Sequence, residues 1–157
     1  MPVIKLQTEI KSEASICFNL SLSVDLHTLS TAQTNEKAIA GKTTGIMQLN
    51  EYVTWEATHF GVRQMLTSKI TQLTQNIHFR DEQQKGAFKH FVHDHNFETT
   101  NGIIIMTDTL NFSSPFGFIG TVVDKLLLTK YLKTFLIERN ALIKSCAESE
   151  QWKQFLH

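Results

Sequence analysis

Two histidines two residues apart, His93 and His95, lie upstream of an Asn-Gly pair, and Asp108 lies downstream of it, in the stretch FVHDHNFETTNGIIIMTDTLNF (91–112). Imidazoles and a carboxylate brought together can relay a proton, hold a divalent metal, or offer hydrogen bonds to a bound molecule. Asn101-Gly102 is the dipeptide that a two-residue hairpin turn favours, because both central residues take positive φ. With that pair as the turn, Thr100 faces Ile103, Phe97 faces Met106 and His95 faces Asp108. His93 then falls opposite Leu110, and Phe91 opposite Phe112. Side chains alternate along a strand, so these residues share one face. The other face carries Val92, Asp94, Asn96, Glu98, Ile105, Thr107, Thr109 and Asn111 and is mostly polar. An aromatic surface with two imidazoles and a carboxylate set into it is either a half-polar core or the wall of a cavity.

Four chemistries fit this group. If the preceding hairpin keeps the same parity, Asp81 comes beside His93, and a His-His-carboxylate metal site is constructible from the spacing. A His95–Asp108 pair in an apolar pocket could serve as acid and base. The same groups could form a polar pocket floor that orients a ligand, or a buried network in which Asp108 accepts from His95 and every polar group is paired. Arg139 either holds a ligand carboxylate or pairs with Asp81 or Asp108. Other chemistries find no motif. There is no Gly-x-Ser-x-Gly, and the Gly41–Gly45 stretch lacks the Lys-Ser/Thr of a phosphate-cradling loop. Cys17 and Cys146 lie in apolar helical contexts and are expected to be free thiols.

The elements that must position these residues follow from periodicity. Residues 2–11 alternate, with Ile4, Leu6, Thr8 and Ile10 on one side, as in a strand with one wet face. Ser12 is positioned to cap a helix over about 13–22, and Asp25 a second short helix carrying Leu26, Leu29 and Ala32. Gln33–Lys42 reads as a polar connector. Strand-like runs follow at about 43–49, 51–60, 62–75, 77–88, 89–98 and 103–113, giving seven strands with the first. Val53, Trp55, Ala57 and His59 share a face; so do Gln64, Leu66, Ser68 and Ile70, and so do Phe79, Asp81 and Gln83. Gly86 reads as a bulge or corner. His59 and Gln64 flank the Gly61 reversal, at the sheet edge.

After Ser113-Ser114-Pro115 the chain reads as helical to about 148. Its apolar residues form two stripes: Ile119, Val122, Val123 and Leu126, and nearly opposite them Leu128, Leu132, Phe135, Leu136, Leu142, Ile143 and Cys146. One straight helix cannot bury both against one sheet, so a break, kink or change of partner is expected near Leu127, the leading part lying over the end of the sheet. Arg139 falls on the apolar side of the long part.

Bulk properties narrow the class. Lys plus Arg and Asp plus Glu are 15 each, so no basic excess points to nucleic acid. Phe is favoured among the aromatics, 11 against two Tyr and two Trp, and supplies apolar area without a polar handle. No apolar run approaches the ~20 residues of a membrane helix. The alternating N-terminus does not resemble a secretory leader, so a cytoplasmic protein of one domain, residues 1–157, is expected.

The order of elements, with Asp25-Leu26-His27, Val53-Thr54-Trp55-Glu56-Ala57, His59-Phe60-Gly61 and Phe79-Arg80-Asp81-Glu82-Gln83, resembles the START-like (SRPBCC) superfamily. Gly86-Ala87-Phe88, His93-Asp94-His95 with Phe97, Asp108, Ser114-Pro115 with Gly117 and Gly120, and Arg139 extend the resemblance over almost the whole chain. It is nearest the bacterial ligand-binding proteins beside the polyketide cyclase/dehydratase branch. Such relatives often have Gly-Pro-Phe where this chain has Gly86-Ala87-Phe88, and Trp where it has Phe91, which bears on pocket shape. The resemblance implies an α+β helix-grip fold: a curved seven-stranded antiparallel sheet wrapped around a long C-terminal helix, with two short helices after the first strand. A deep cavity between sheet and helix would bind a hydrophobic or aromatic small molecule, with no cofactor and no stable membrane insertion. The alternative is a cyclase/dehydratase-type enzyme using His95 and Asp108. Strand parity names the expected lining: Trp55, His59, Phe79, Asp81, Gln83, Phe88, Phe91, His93, His95, Phe97, Met106 and Asp108, with Arg139 from the helix.

Overall fold

Strand alternation and one long helical stripe account for most of the architecture. The computed structural model describes residues 2–115, 117, 122 and 124–156, with side chains at 124 and 125 left aside. β1 (Val3–Ile10) leads into α1 (Ala14–Ser21), α2 (Val24–Ser30) and a 3-10 turn. Then come β2 (Lys37–Gly41), β3 (Tyr52–His59), β4 (Val62–Thr74), β5 (His78–Gly86), β6 (His90–Thr100) and β7 (Ile103–Ser113). A π-helical turn, Asp124–Leu128, runs into α3 (Thr129–Ala147). The strands form one curved antiparallel sheet in the order β1-β7-β6-β5-β4-β3-β2, the helix-grip arrangement expected above.

The hairpin register is the one that the Asn-Gly turn dictates: Phe97 pairs with Met106, His95 with Asp108, His93 with Leu110 and Phe91 with Phe112. On the next strand Asp81 pairs with His93, so one face collects the ionisable residues of three strands. Extra residues at Thr71 in β4 and Gln84 in β5 interrupt their ladder, and such bulges bend strands and sharpen twist.

The core lies where α1 and the C-terminal half of α3 meet the sheet. Cys17, Phe18 and Leu20 of α1 and Ile143 and Cys146 of α3 are buried there. Phe18 packs edge-on against Phe79 at 5.6 Å and Phe97 at 5.3 Å between centroids. The end of α3 is tied to the end of β1, where the Lys11 amide donates to Glu148 Oε1 (2.9 Å) and Lys144 reaches the Glu9 carbonyl. Cys17 and Cys146 are free thiols, and burial pushes Cys17 up to about 12.

Several boundaries differ from those expected. The second strand is Lys37–Gly41, inside the stretch assigned as connector, and not 43–49. Gly41 and Gly45 both take positive φ, which stops an extended run through 43–49. Residues 44–47 instead dock on α2: Asp25 accepts from Thr44 Oγ1 and the Gly45 amide (both 2.9 Å), and Met47 is buried. Asp25 is therefore not the cap of α2. Ser23 caps it, accepting from the Leu26 amide. Glu13, without a side-chain bond, occupies the cap position expected for Ser12. Leu29 of α2 is exposed. At the C-terminal end, the expected break near Leu127 is the π-helical turn. Leu126 and Val122 are exposed, so the first of the two stripes is not packed where it is described, and Ile119, Gly120 and Val123 lie outside the described residues.

Phe18→Ala should cost about 3–5 kcal/mol, the range for truncating a fully buried Phe. Urea unfolding should show this as a lowered midpoint at unchanged slope.

Candidate functional site

Between the inner face of the sheet, α2 and α3 lies a cavity of about 640 Å³. Inward-pointing residues of β3–β6 form its wall, and Leu128 of the π-helical turn with Tyr131, Leu132, Phe135, Leu136 and Arg139 of α3 its roof. Trp55, His59, Phe79, Asp81, Phe88, Phe91, His93, His95 and Arg139, all expected from strand and helix parity, border it. Gln83, Phe97, Met106 and Asp108 do not. Gln83 is spent on the Phe88 backbone, donating to its carbonyl (2.7 Å) and accepting from its amide (3.2 Å). Phe97 and Met106 belong to the solid core beneath α1.

Asp108 sits behind the histidines with no exposure. Its backbone neighbour is His95, yet the well-formed bond comes from His93, whose Nε2 donates to Oδ1 at 2.8 Å. His93 reaches it as the diagonal neighbour two residues along the strand. His95 Nδ1 approaches the same oxygen at 3.0 Å, too far out of line to make a hydrogen bond. The His95 ring is sandwiched instead, stacked on Phe79 at 4.1 Å and 3.8 Å from the His93 ring. Asn140 donates to Oδ2 at 2.6 Å and to Thr8 Oγ1 at 3.2 Å, and Arg139 NH1 stands 3.7 Å from Oδ1.

Charge states follow from these contacts. Burial alone would raise Asp108, but the His93 and His95 imidazoles beside it reverse that and hold it well below the usual carboxylate range. Burial pushes His95 well below the ordinary histidine value, His93 adds to the shift, and Asp108 opposes it only in part. Asp81 is raised by burial against the pull of His93. One of its oxygens is sealed and has no hydrogen-bond partner, while the residue itself borders the cavity. Arg139 is lowered by burial, against Asp108 and Asp81, and donates to Asn140 Oδ1 and the Ser21 carbonyl (3.1 Å each). The donor atoms of His93, His95 and Asp108 lie within 4.8 Å of one another, so a metal is geometrically conceivable. It would sit against the Arg139 guanidinium, which repels it.

A second polar group lies elsewhere on the wall. His59 Nδ1 and the Tyr131 hydroxyl share a 2.7 Å hydrogen bond joining β3 to α3, and His27 Nε2 bonds Glu36 Oε1 at 2.9 Å. His59 is half-buried against Tyr131 and Phe135, not on an open edge. Burial pushes it down and Tyr131 up. Tyr131, Glu36 and Asn140 are absent from the sequence expectation. Tyr131 was findable, one turn before Phe135 on the inward stripe of α3. Glu36 and Asn140 carried no periodic signal. Exposed Phe60, Val62, Met65 and Leu127, which also border the cavity, mark where it meets solvent.

Stability should depend on pH through His95. Its native value lies below the unfolded value of about 6.5, so just below that pH only the unfolded chain takes the proton. Stability is then lost as pH falls below about 6.5 toward the native value, by up to ~1.4 kcal/mol per unit. Asp81, raised in the native state, acts in the opposite sense: its contribution is lost as pH rises through its native value. Urea midpoints at half-unit intervals should show a shallower slope for His95→Gln, and a steeper one for Asp81→Asn below the raised Asp81 value. His59, lowered as well, should supply what slope remains in His95→Gln.

Comparison with solved structures places this arrangement. A protein from Thermus thermophilus, TTHA0849, aligns with a TM-score of 0.71 over 93% of this chain and 99% of its own, at 12% identity. Major latex-like protein 151 from Panax ginseng aligns at 0.68 over 94% and 98%, with 14% identity. A START superfamily protein from Mycobacterium smegmatis aligns at 0.68 over 93% and 97%, with 8% identity. No protein-family model matches the sequence, and no curated protein is a significant match. The chain has the START-like helix-grip fold.

Proposed function

We propose that the protein binds a hydrophobic or aromatic small molecule in the cavity between the sheet and α3, for transport or sequestration. The observation that carries this is the cavity itself: about 640 Å³, walled mainly by apolar and aromatic side chains, with a few polar groups gathered at defined places. Ligand pockets commonly run from about 300 to 1,000 Å³ with that kind of lining. A START superfamily protein among the structural neighbours is in keeping with it.

The alternative, cyclase/dehydratase-type chemistry through His95 and Asp108, has less support. Asp108 touches no cavity surface, and burial favours the neutral form of His95, so the pair offers a bound molecule a base but no ready proton donor. His95→Ala separates the two: a binder keeps its affinity for apolar ligands, and an enzyme loses turnover.

Native mass spectrometry of protein purified from its own host should show a co-purifying mass and identify the ligand class. In solution, the uncharged dye N-phenyl-1-naphthylamine should brighten on binding. Ala57→Trp, which fills the cavity from the β3 wall, should weaken that binding at least about tenfold, roughly the worth of the apolar contact displaced. No brightening with the wild-type protein, or unchanged affinity in Ala57→Trp, counts against the proposal.

A further inference from the structure

We infer that the ligand presents an uncharged hydroxyl, an alcohol or a phenol, to Asp81, and not a carboxylate to Arg139. This rests on the binding function proposed above and specifies the polar group that the cavity receives.

The charges at this end of the cavity are already matched. Arg139 is buried, its NH1 donating to Asn140 Oδ1 and its NH2 to the Ser21 carbonyl (3.1 Å each). NH1 also lies 3.7 Å from Asp108 Oδ1. Capturing a carboxylate in a fork takes two parallel N–H groups, and each terminal nitrogen here has already given one of its two to the protein, which fixes the plane of the guanidinium. Asp108, which balances the guanidinium, is sealed behind His93 and His95. A ligand carboxylate would meet a guanidinium whose charge Asp108 already offsets, with Asp81 on the same cavity lining.

Asp81 is the group left over. It borders the cavity next to His93 and is only partly buried: one oxygen is sealed with no hydrogen-bond partner, so a ligand meets the carboxyl through the other, where Ser68 also bonds it. No cation lies within ion-pair distance of it among the described residues. A carboxylate brought against it would either be repelled or have to share its proton. An ammonium would have to shed its water beside the fixed charge of Arg139. A hydroxyl fits both protonation states, donating to an ionised Asp81 and accepting from a protonated one, and it can bond the His93 imidazole as well.

Four probes with one apolar body decide the matter: 1-pyrenemethanol, 1-methylpyrene, 1-pyrenecarboxylate and 1-pyrenemethylammonium. Energy transfer from Trp55 in the cavity wall reports binding of each. Pyrenemethanol should bind at least about threefold tighter than methylpyrene and about tenfold tighter than either ion. Asp81→Val should erase the advantage over methylpyrene, and Asp81→Asn should keep it. A carboxylate or ammonium that binds as tightly as the alcohol overturns the inference, as does a hydroxyl preference that survives Asp81→Val. If Asp81→Val does not fold, the wild-type ranking of the four probes decides. Methylpyrene binding without hydroxyl preference overturns this inference alone, and failure of all four to bind removes the binding function with it.

Discussion

A carboxylate with no exposure to solvent, Asp108, is the constraint around which the inner face of this protein is arranged. Burying an ion costs several kcal/mol unless its lone pairs are met by well-placed donors. Here the donors come from elements far apart in the chain: His93 from β6, and Asn140 with the nearby Arg139 from α3. Asn140 also bonds Thr8 of β1, and Arg139 bonds the last residue of α1. One buried charge thus ties the helix to both the middle and the edge of the sheet. Removing His93 or Asn140 would leave a buried carboxylate lone pair without its donor.

The cavity exists because those ties do not run the length of the helix. The C-terminal half of α3 is packed solid through Ile143 and Cys146 and anchored to β1. Towards its N-terminal end the helix meets β3 through the Tyr131–His59 hydrogen bond and its aromatic neighbours. Between these two attachments, bulges in β4 and β5 bend the sheet away, and side chains line the gap without filling it. Apolar wall and polar end are thus separate consequences of one geometry. The wall comes from strand alternation, and the polar end from the network that also locks the helix in place.

Most of the sheet was legible from local rules. Asn101-Gly102 set the β6–β7 register, because a two-residue turn and a period of two leave no freedom there; Asp81 beside His93 required in addition that the β5–β6 hairpin keep the same parity, and it does. The change of face near Leu127 was legible because a straight helix cannot bury two opposite stripes. Short elements were less so. Lys37–Gly41 is too short, and with two Ala and a Gly too poor in β-branched and aromatic residues, to signal a strand, and pairs because β3 offers it an edge. Asp25 sits where a cap would be but is drawn off by the 44–45 backbone, a contact between segments that no local pattern encodes.

The chain order of residues alone determined which side chains share a face, since alternation and helical period are properties of the backbone and need no partner. It therefore named Trp55, Asp81, His93, His95 and Arg139 as inward residues before any fold was known. Tertiary structure alone decided that His93, and not the register neighbour His95, makes the aligned bond to Asp108, that Arg139 is already engaged, and that Asp81 keeps an oxygen without a partner. Hydrogen bonds and proton affinities are settled by differences of a few tenths of an ångström in the distances between segments that lie more than a hundred residues apart in places. Those distances exist only once the sheet has curved and the helix has come to rest on it.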